Sequence, residues 1–225
     1  MKKYFLLFCF TLLIIGNVIS QEYKPDNRSQ LLKEDDVNEY KSENISKLDL
    51  LEALEFSGIR IHKFDLGKFD KKYDLYFFVD KYTNGVLTNS DTIMITDNTY
   101  HYYLDDDDVY YIDFINQVKV ISKLEDGVLK LKFNTYAQWF FYEIELETTD
   151  ERQFFNIRDF EDAEWKLNEK IPLFIFASSW LDTKNDIHRF CGAVTLRQND
   201  KDTELLLEKS PLYYVINYKI EKVKN

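Results

Sequence analysis

At 225 residues, with 45% hydrophobic and 16% aromatic residues, the chain holds ample material for a packed core and is not a disordered polymer. Its formal charge of −11 repels phosphate backbones and anionic lipid surfaces, which argues against nucleic-acid or membrane-surface binding as the main role and leaves divalent cations, basic partners and neutral sugars compatible. The length fits one large or two small domains, and all-β sandwiches of this size are commonly single domains.

The start, Met1-Lys2-Lys3-Tyr4, then the apolar run Phe5–Ile15 and Gly16-Asn17-Val18-Ile19-Ser20, has the charged, apolar and small-residue regions of a secretory signal over residues 1–20. Cleavage is expected after Ser20, and the run is too short for a membrane span, which needs about 20 apolar residues. Cys9 sits inside the apolar run behind bulky Phe8, which disfavours a lipid anchor there. Removal of the signal takes the charge to −13 and leaves Cys191 as the only cysteine, so no intramolecular disulfide forms.

Residues 21–45 are polar and charge-rich, as in Lys33-Glu34-Asp35-Asp36, and read as a flexible leader. Ser46-Lys47-Leu48-Asp49 opens a short helix capped by Ser46 and stopped at Gly58, whose apolar residues need a sheet to pack on. The period then changes to two. Ile59–Phe64 is a strand, Tyr73–Tyr82 and Val86–Ile95 form a hairpin around Asn84-Gly85, and Thr99–Leu104 is a short strand.

The centre of the chain reads as a three-strand meander: Val109–Lys123, Val128–Asn134 and Gln138–Thr148. Placing Asp126-Gly127 in the first turn sets Leu124 opposite Leu129, Ser122 opposite Leu131 and Val120 opposite Phe133. The second turn then sets Phe133 opposite Phe140, Leu131 opposite Tyr142 and Leu129 opposite Ile144. On the other face Lys130 meets Glu143, and the same parity places Trp139 and Phe141 there with Lys132 and Glu145, joined by Tyr111 and Ile115 from the first strand. Either another element covers these aromatics, or Trp139, Phe141 and Tyr111 form an exposed, carboxylate-flanked patch that stacks on a ligand.

Beyond the meander, Gln153–Ile157 is expected as a strand and Asp159–Asn168 as a second short helix. Ile171–Trp180 is almost continuously apolar, which implies a strand covered on both faces, and Ile187–Leu196, Glu204–Leu207 and Leu212–Val223 complete the set. About ten strands against one or two short helices predict a mostly β fold, an antiparallel, jelly-roll-like β-sandwich forming one domain over residues 46–225.

Few residues suggest chemistry. The Asp105–Asp108 run would suit calcium, but it lacks the glycine-punctuated alternation of a calcium loop and fits a solvated loop better. The histidines His62, His101 and His188 are scattered, which leaves zinc unsupported, and no fingerprint of a nucleotide, redox cofactor or hydrolase nucleophile occurs. Cys191 and His188 differ by an odd offset that puts them on opposite faces of a strand, so Cys191 reads as a buried structural thiol. No metal, cofactor or catalytic residue is therefore assigned.

At Ala53-Leu54-Glu55-Phe56-Ser57-Gly58-Ile59-Arg60, Asp91-Thr92-Ile93 and Asp97-Asn98-Thr99-Tyr100 the chain resembles an uncharacterised family of small exported proteins of gut anaerobes, from about Ser46 onwards. The resemblance implies a Gram-negative envelope address, and no functional residue carries over with it. The expectation is an exported, non-catalytic domain, periplasmic or extracellular, that recognises a carbohydrate or an envelope protein through Trp139, Phe141 and Tyr111. The alternatives are an envelope structural or accessory protein with a protein partner, and a small carboxylate-dependent hydrolase.

Overall fold

Two tight reversals set the architecture. Asn84-Gly85 lies at φ 49° and 76°, and Asp126-Gly127 at φ 51° and 77°, the left-handed pair that a two-residue hairpin needs to match the twist of its strands. The computed structural model describes residues 46–103, 110–136, 138–161, 164–190 and 194–223. The expected signal and leader, the Asp105–Asp108 run and Cys191 lie outside the described residues.

Around Asn84-Gly85, β2 (Tyr73–Thr83) pairs with β3 (Val86–Asp97), and around Asp126-Gly127, β6 (Gln117–Glu125) pairs with β7 (Val128–Thr135). The expected partners meet: Leu124 with Leu129, Ser122 with Leu131 and Val120 with Phe133. On β8 (Gln138–Glu145), Phe140, Tyr142 and Ile144 face Phe133, Leu131 and Leu129.

The first sheet runs β1-β6-β7-β8, with β1 (Ile59–Asp65) at one edge. The second runs β3-β2-β13-β10-β9, with β9 (Phe155–Asp159), β10 (Lys170–Ser178) and β13 (Leu212–Lys222). Two hairpins stand apart, β4 (Thr99–Tyr103) with β5 (Tyr110–Phe114), and β11 (Trp180–Asp182) with β12 (Ile187–Arg189). Every strand pair is antiparallel. The two large sheets pack face to face as a sandwich, with Phe77 of β2 against Phe133 and Phe140 at 5.7 and 5.9 Å between centroids and Phe64 of β1 against Phe174 of β10 at 5.6 Å.

A second apolar cluster covers the far side of the five-stranded sheet, where Ile175, Ala177 and Tyr213 meet Leu196 and Leu206. Leu206 belongs to a helix over Lys201–Lys209, where a strand over Glu204–Leu207 is expected from sequence. The reason is local: the Asp200 carboxylate accepts the backbone N–H groups of Asp202 and Thr203, both at 3.1 Å, and starts a helical turn. Strand β10 has both faces buried, as its apolar run implies, with a bulge between Pro172 and Phe174 that turns Phe174 and Phe176 into the sandwich.

Three other expectations are corrected. The segment Asp159–Asn168 shows no helix among its described residues; Phe160 and Leu167 instead make bridges to Leu196 and Ile220, and Trp165 packs on Phe69 and Tyr73. Among the described residues of Ile187–Leu196, only Ile187–Arg189 form a paired strand. The long strand Val109–Lys123 is broken at Ile115-Asn116, because Ile115 N–H donates to the carbonyl of buried Asn98 and Leu66 N–H donates to the Asn116 carbonyl, both at 2.8 Å. Ile115 is consequently 2% exposed and does not join the wet face.

Backbone contacts divide the chain into two units, Met1–Ala53 and Leu54–Asn225. The helix α1 (Lys47–Phe56) begins in the first unit with a reciprocal cap, Asp49 N–H to Ser46 Oγ at 3.1 Å and Ser46 N–H to the Asp49 carboxylate at 2.8 Å. None of its ten residues is buried, where the sequence reading expects an apolar face to be covered. The helix over Lys201–Lys209 is α2.

Gly67 gives a stringent test of this packing. It lies at φ 116°, and a Cβ there would sit 2.2 Å from Cδ1 of Trp165. Gly67→Ala should cost roughly 2–5 kcal/mol through backbone strain plus overpacking, against roughly 1–2 kcal/mol for Gly127→Ala, where strain acts alone. Urea unfolding of the two variants checks the order; equal costs would contradict the contact.

Candidate functional site

The outer face of the four-stranded sheet carries the residues that side-chain parity directs away from the core. Trp139 and Phe141 lie there at alternate positions of β8 and are 64% and 63% exposed. Their rings meet edge to face at 5.3 Å. Lys132, the cross-strand partner of Phe141, holds its ammonium 5.4 Å from the Trp139 centroid and 5.5 Å from that of Phe141. A cation in that position is attracted to the negative faces of both rings.

Tyr111 occupies a different place. It belongs to β5, outside the sheet that carries Trp139, and stacks on its partner Tyr102 at 5.5 Å. From there a row of stacked tyrosines runs through Tyr100 to Tyr136, with 5.5 and 5.7 Å between centroids. Tyr136 lies in the turn just before β8, so the row ends beside the strand of Trp139. The structure thus brings Trp139 and Phe141 together and relates Tyr111 to them only through this row.

The Tyr136 hydroxyl donates to Gln117 Oε1 at 3.2 Å, and Gln117 Nε2 donates to Asp65 Oδ1 at 2.8 Å. Gln117, Tyr136, Lys63, Lys119 and Asn134 line an open depression of about 330 Å³. Asn134 is the cross-strand partner of Trp139, so the depression adjoins the exposed rings. None of these five residues was singled out from sequence. Lys63 and Gln117 come together only through the β1–β6 pairing, which joins segments more than fifty residues apart and has no local signal.

The opposite end of the same face is electrostatically closed. Lys130 donates to Glu125 at 2.8 Å and Lys123 also pairs with it, so the two ammonium groups hold the Glu125 carboxyl down at about 2. Lys130 thus has Glu143 as its strand partner, as expected, and Glu125 as its ion-pair partner.

Two histidine relays also appear. The His62 imidazole lies 3.0 Å from the Asp159 carboxylate and 3.5 Å from Ser122 Oγ, and His188 lies 3.1 Å from both Asp150 Oδ2 and Ser179 Oγ. The sequence shows neither, because Asp159 lies 97 residues from His62 and Asp150 lies 38 residues from His188. Backbone and side-chain hydrogen bonds from Arg152, with one from His188, hold the Asp150 carboxyl well below its usual range. Their order resembles a nucleophile triad, but Ser122 and Ser179 are 1% and 0% exposed. Ser179 N–H is already committed to the Phe154 carbonyl, and Ser122 lies within a strand paired on both sides, so neither has free backbone donors for an oxyanion. They act as latches that tie each serine to a carboxylate elsewhere in the fold, and His62 also stacks on both Phe64 and Phe174, which stack on each other.

Among the described residues no group of acidic, histidine or cysteine side chains could hold a metal ion, and no helix is long and apolar enough to cross a membrane. A family model described as a domain of unknown function, DUF5041, matches residues 31–222. The chain belongs to the DUF5041 family. The match starts at residue 31, inside the stretch read as a leader, and agrees with the resemblance to an uncharacterised family. No curated protein and no solved structure matches this DUF5041 chain.

A serine-directed fluorophosphonate should leave both relays of this DUF5041 protein unlabelled, as read by intact mass and peptide mapping. Stoichiometric adduct on Ser122 or Ser179 would contradict the latch role.

Proposed function

We propose that this DUF5041 protein is an exported, non-catalytic binding domain that lays the outer face of its four-stranded sheet against a carbohydrate, with Trp139 and Phe141 as the stacking residues. The supporting observation is the pair itself: two large rings held rigidly edge to face in solvent, on a surface where the sandwich needs no apolar group. Sugar rings present apolar C–H faces that stack on such rings, while Asn134, Gln117 and Tyr136 supply hydrogen-bonding groups nearby. Tyr111 takes the role of a distant buttress in the tyrosine row rather than a contact beside Trp139.

Among the described residues, the carboxyls that depart from their usual range do so in the direction opposite to the one a carboxylate-dependent hydrolase needs for its acid. Asp49, Asp97, Glu125, Asp150 and Asp182 are all shifted downward, whereas a general acid must be held up. A second reading, an envelope protein partner, is favoured by one feature: β8 is an edge strand, and its free backbone groups could accept an added strand beside the same two rings.

Titration with a panel of soluble cell-wall and dietary glycans, followed by tryptophan fluorescence and calorimetry, tests the proposal. Trp139→Ala should weaken binding about tenfold or more while leaving the melting temperature nearly unchanged, because an exposed ring contributes little to folding. Unchanged affinity in that variant would remove this face as the site, and a stoichiometric envelope protein in pull-downs without glycan binding would favour the second reading.

A further inference from the structure

The lysines of the outer face divide into two groups with different electrostatic fates. Near the Asp126-Gly127 turn, Lys123 and Lys130 are neutralised by Glu125. At the other end, Lys63 and Lys119 face each other directly across β1 and β6. Like charges directly opposite destabilise a sheet, so this pair has no folding rationale.

Among the described residues neither Lys63 nor Lys119 makes an ion pair, and the Lys132 ammonium rests only on aromatic rings. The carboxylate that the register places at this end of the face is Asp65, whose Oδ1 is engaged by Gln117. A chain with a formal charge of −11 therefore keeps a net basic cluster beside its exposed rings, the ammonium groups of Lys63, Lys119 and Lys132 against the one carboxylate of Asp65. An unmatched cluster of this kind attracts an anion locally even though the whole protein is acidic.

We infer that the ligand of this face is a polyuronate, a saccharide chain carrying one carboxylate per sugar ring; the inference rests on the carbohydrate reading above and names its substrate class. The apolar face of a sugar would stack on Trp139 and Phe141. Its carboxylate would reach the ammonium groups of Lys63, Lys119 and Lys132, and its hydroxyls would meet Asn134 and the Tyr136 hydroxyl. Lysines suit this role as mobile point charges that follow a flexible polymer, where a fixed arginine fork would demand one geometry. The overall negative charge sets an upper limit on ligand charge, since a densely sulphated chain is repelled by the remaining surface.

The test titrates the full chain with polygalacturonate, with its methyl-esterified and hence neutral form, and with dextran sulphate, at about 0.02 and 0.2 M salt. Polygalacturonate should bind about tenfold more tightly than the ester at low salt and lose that advantage at high salt. The double variant Lys63→Gln, Lys119→Gln should remove the preference without lowering the melting temperature, because it relieves a repulsion.

Equal binding of acid and ester, unaffected by the double variant but abolished by Trp139→Ala, would overturn the polyuronate assignment and leave the carbohydrate reading standing. Tighter binding of dextran sulphate would overturn the ligand class, and no binding of any saccharide in the panel would overturn both.

Discussion

The alternation of side chains about the Asp126-Gly127 reversal is the constraint on which the structure depends. With that turn fixed, Leu129, Leu131 and Phe133 enter the sandwich beside Phe140, Tyr142 and Ile144, where Phe133 and Phe140 stack at 4.5 Å. A slip of one residue would expose all of them, at about 1.5–3 kcal/mol for each large apolar side chain. The same parity obliges positions 139 and 141 to face water. It does not oblige them to be tryptophan and phenylalanine, since serine or threonine would serve the strand as well. Exposed rings at those two positions are therefore a feature the fold permits and does not require.

Several buried polar groups elsewhere in the protein have specific partners. Asp80, only 3% exposed, receives Lys170 at 2.7 and 2.9 Å and Asn217 at 3.0 Å. Tyr218 donates to the Leu66 carbonyl at 2.9 Å, and Tyr142 reaches Asp91 at 2.8 Å across the two sheets, with burial and that carboxylate pushing the Tyr142 phenol up to about 12. The histidines follow the same rule, each tied to a carboxylate on one side and a serine on the other where the relays occur. Two lysines facing each other without an ion pair among the described residues, beside two rings in solvent, contribute nothing comparable to folding, and the proposed anionic ligand would give them a role.

What the sequence made legible was local. The Asn84-Gly85 and Asp126-Gly127 turns carry their own geometry, and from them the meander register, the inward apolar set and the outward placement of Trp139 and Phe141 all follow. The interruption at Ile115-Asn116 was hidden because its cause, the carbonyl of Asn98, comes from elsewhere in the chain. Tyr111 consequently lies outside the sheet to which its local pattern assigns it, and the Tyr136–Tyr100–Tyr102 row has no local signature in the sequence. The helix at Lys201–Lys209 was open to recognition through Asp200, a capping residue overshadowed by three consecutive leucines. The Lys63–Lys119 opposition depends on β1 joining β6, a pairing of distant segments that no local pattern encodes.

The central claim is that ligand contact occurs on the outer face at Trp139. The chain has three tryptophans, so the indole N–H resonances of isotopically labelled protein report on each separately. Titration with polygalacturonate should shift the Trp139 indole signal and leave those of Trp165 and Trp180 in place, the former being packed against Phe69 and Tyr73 and the latter against Phe190. A Trp139 signal that stays fixed while binding proceeds would contradict the account.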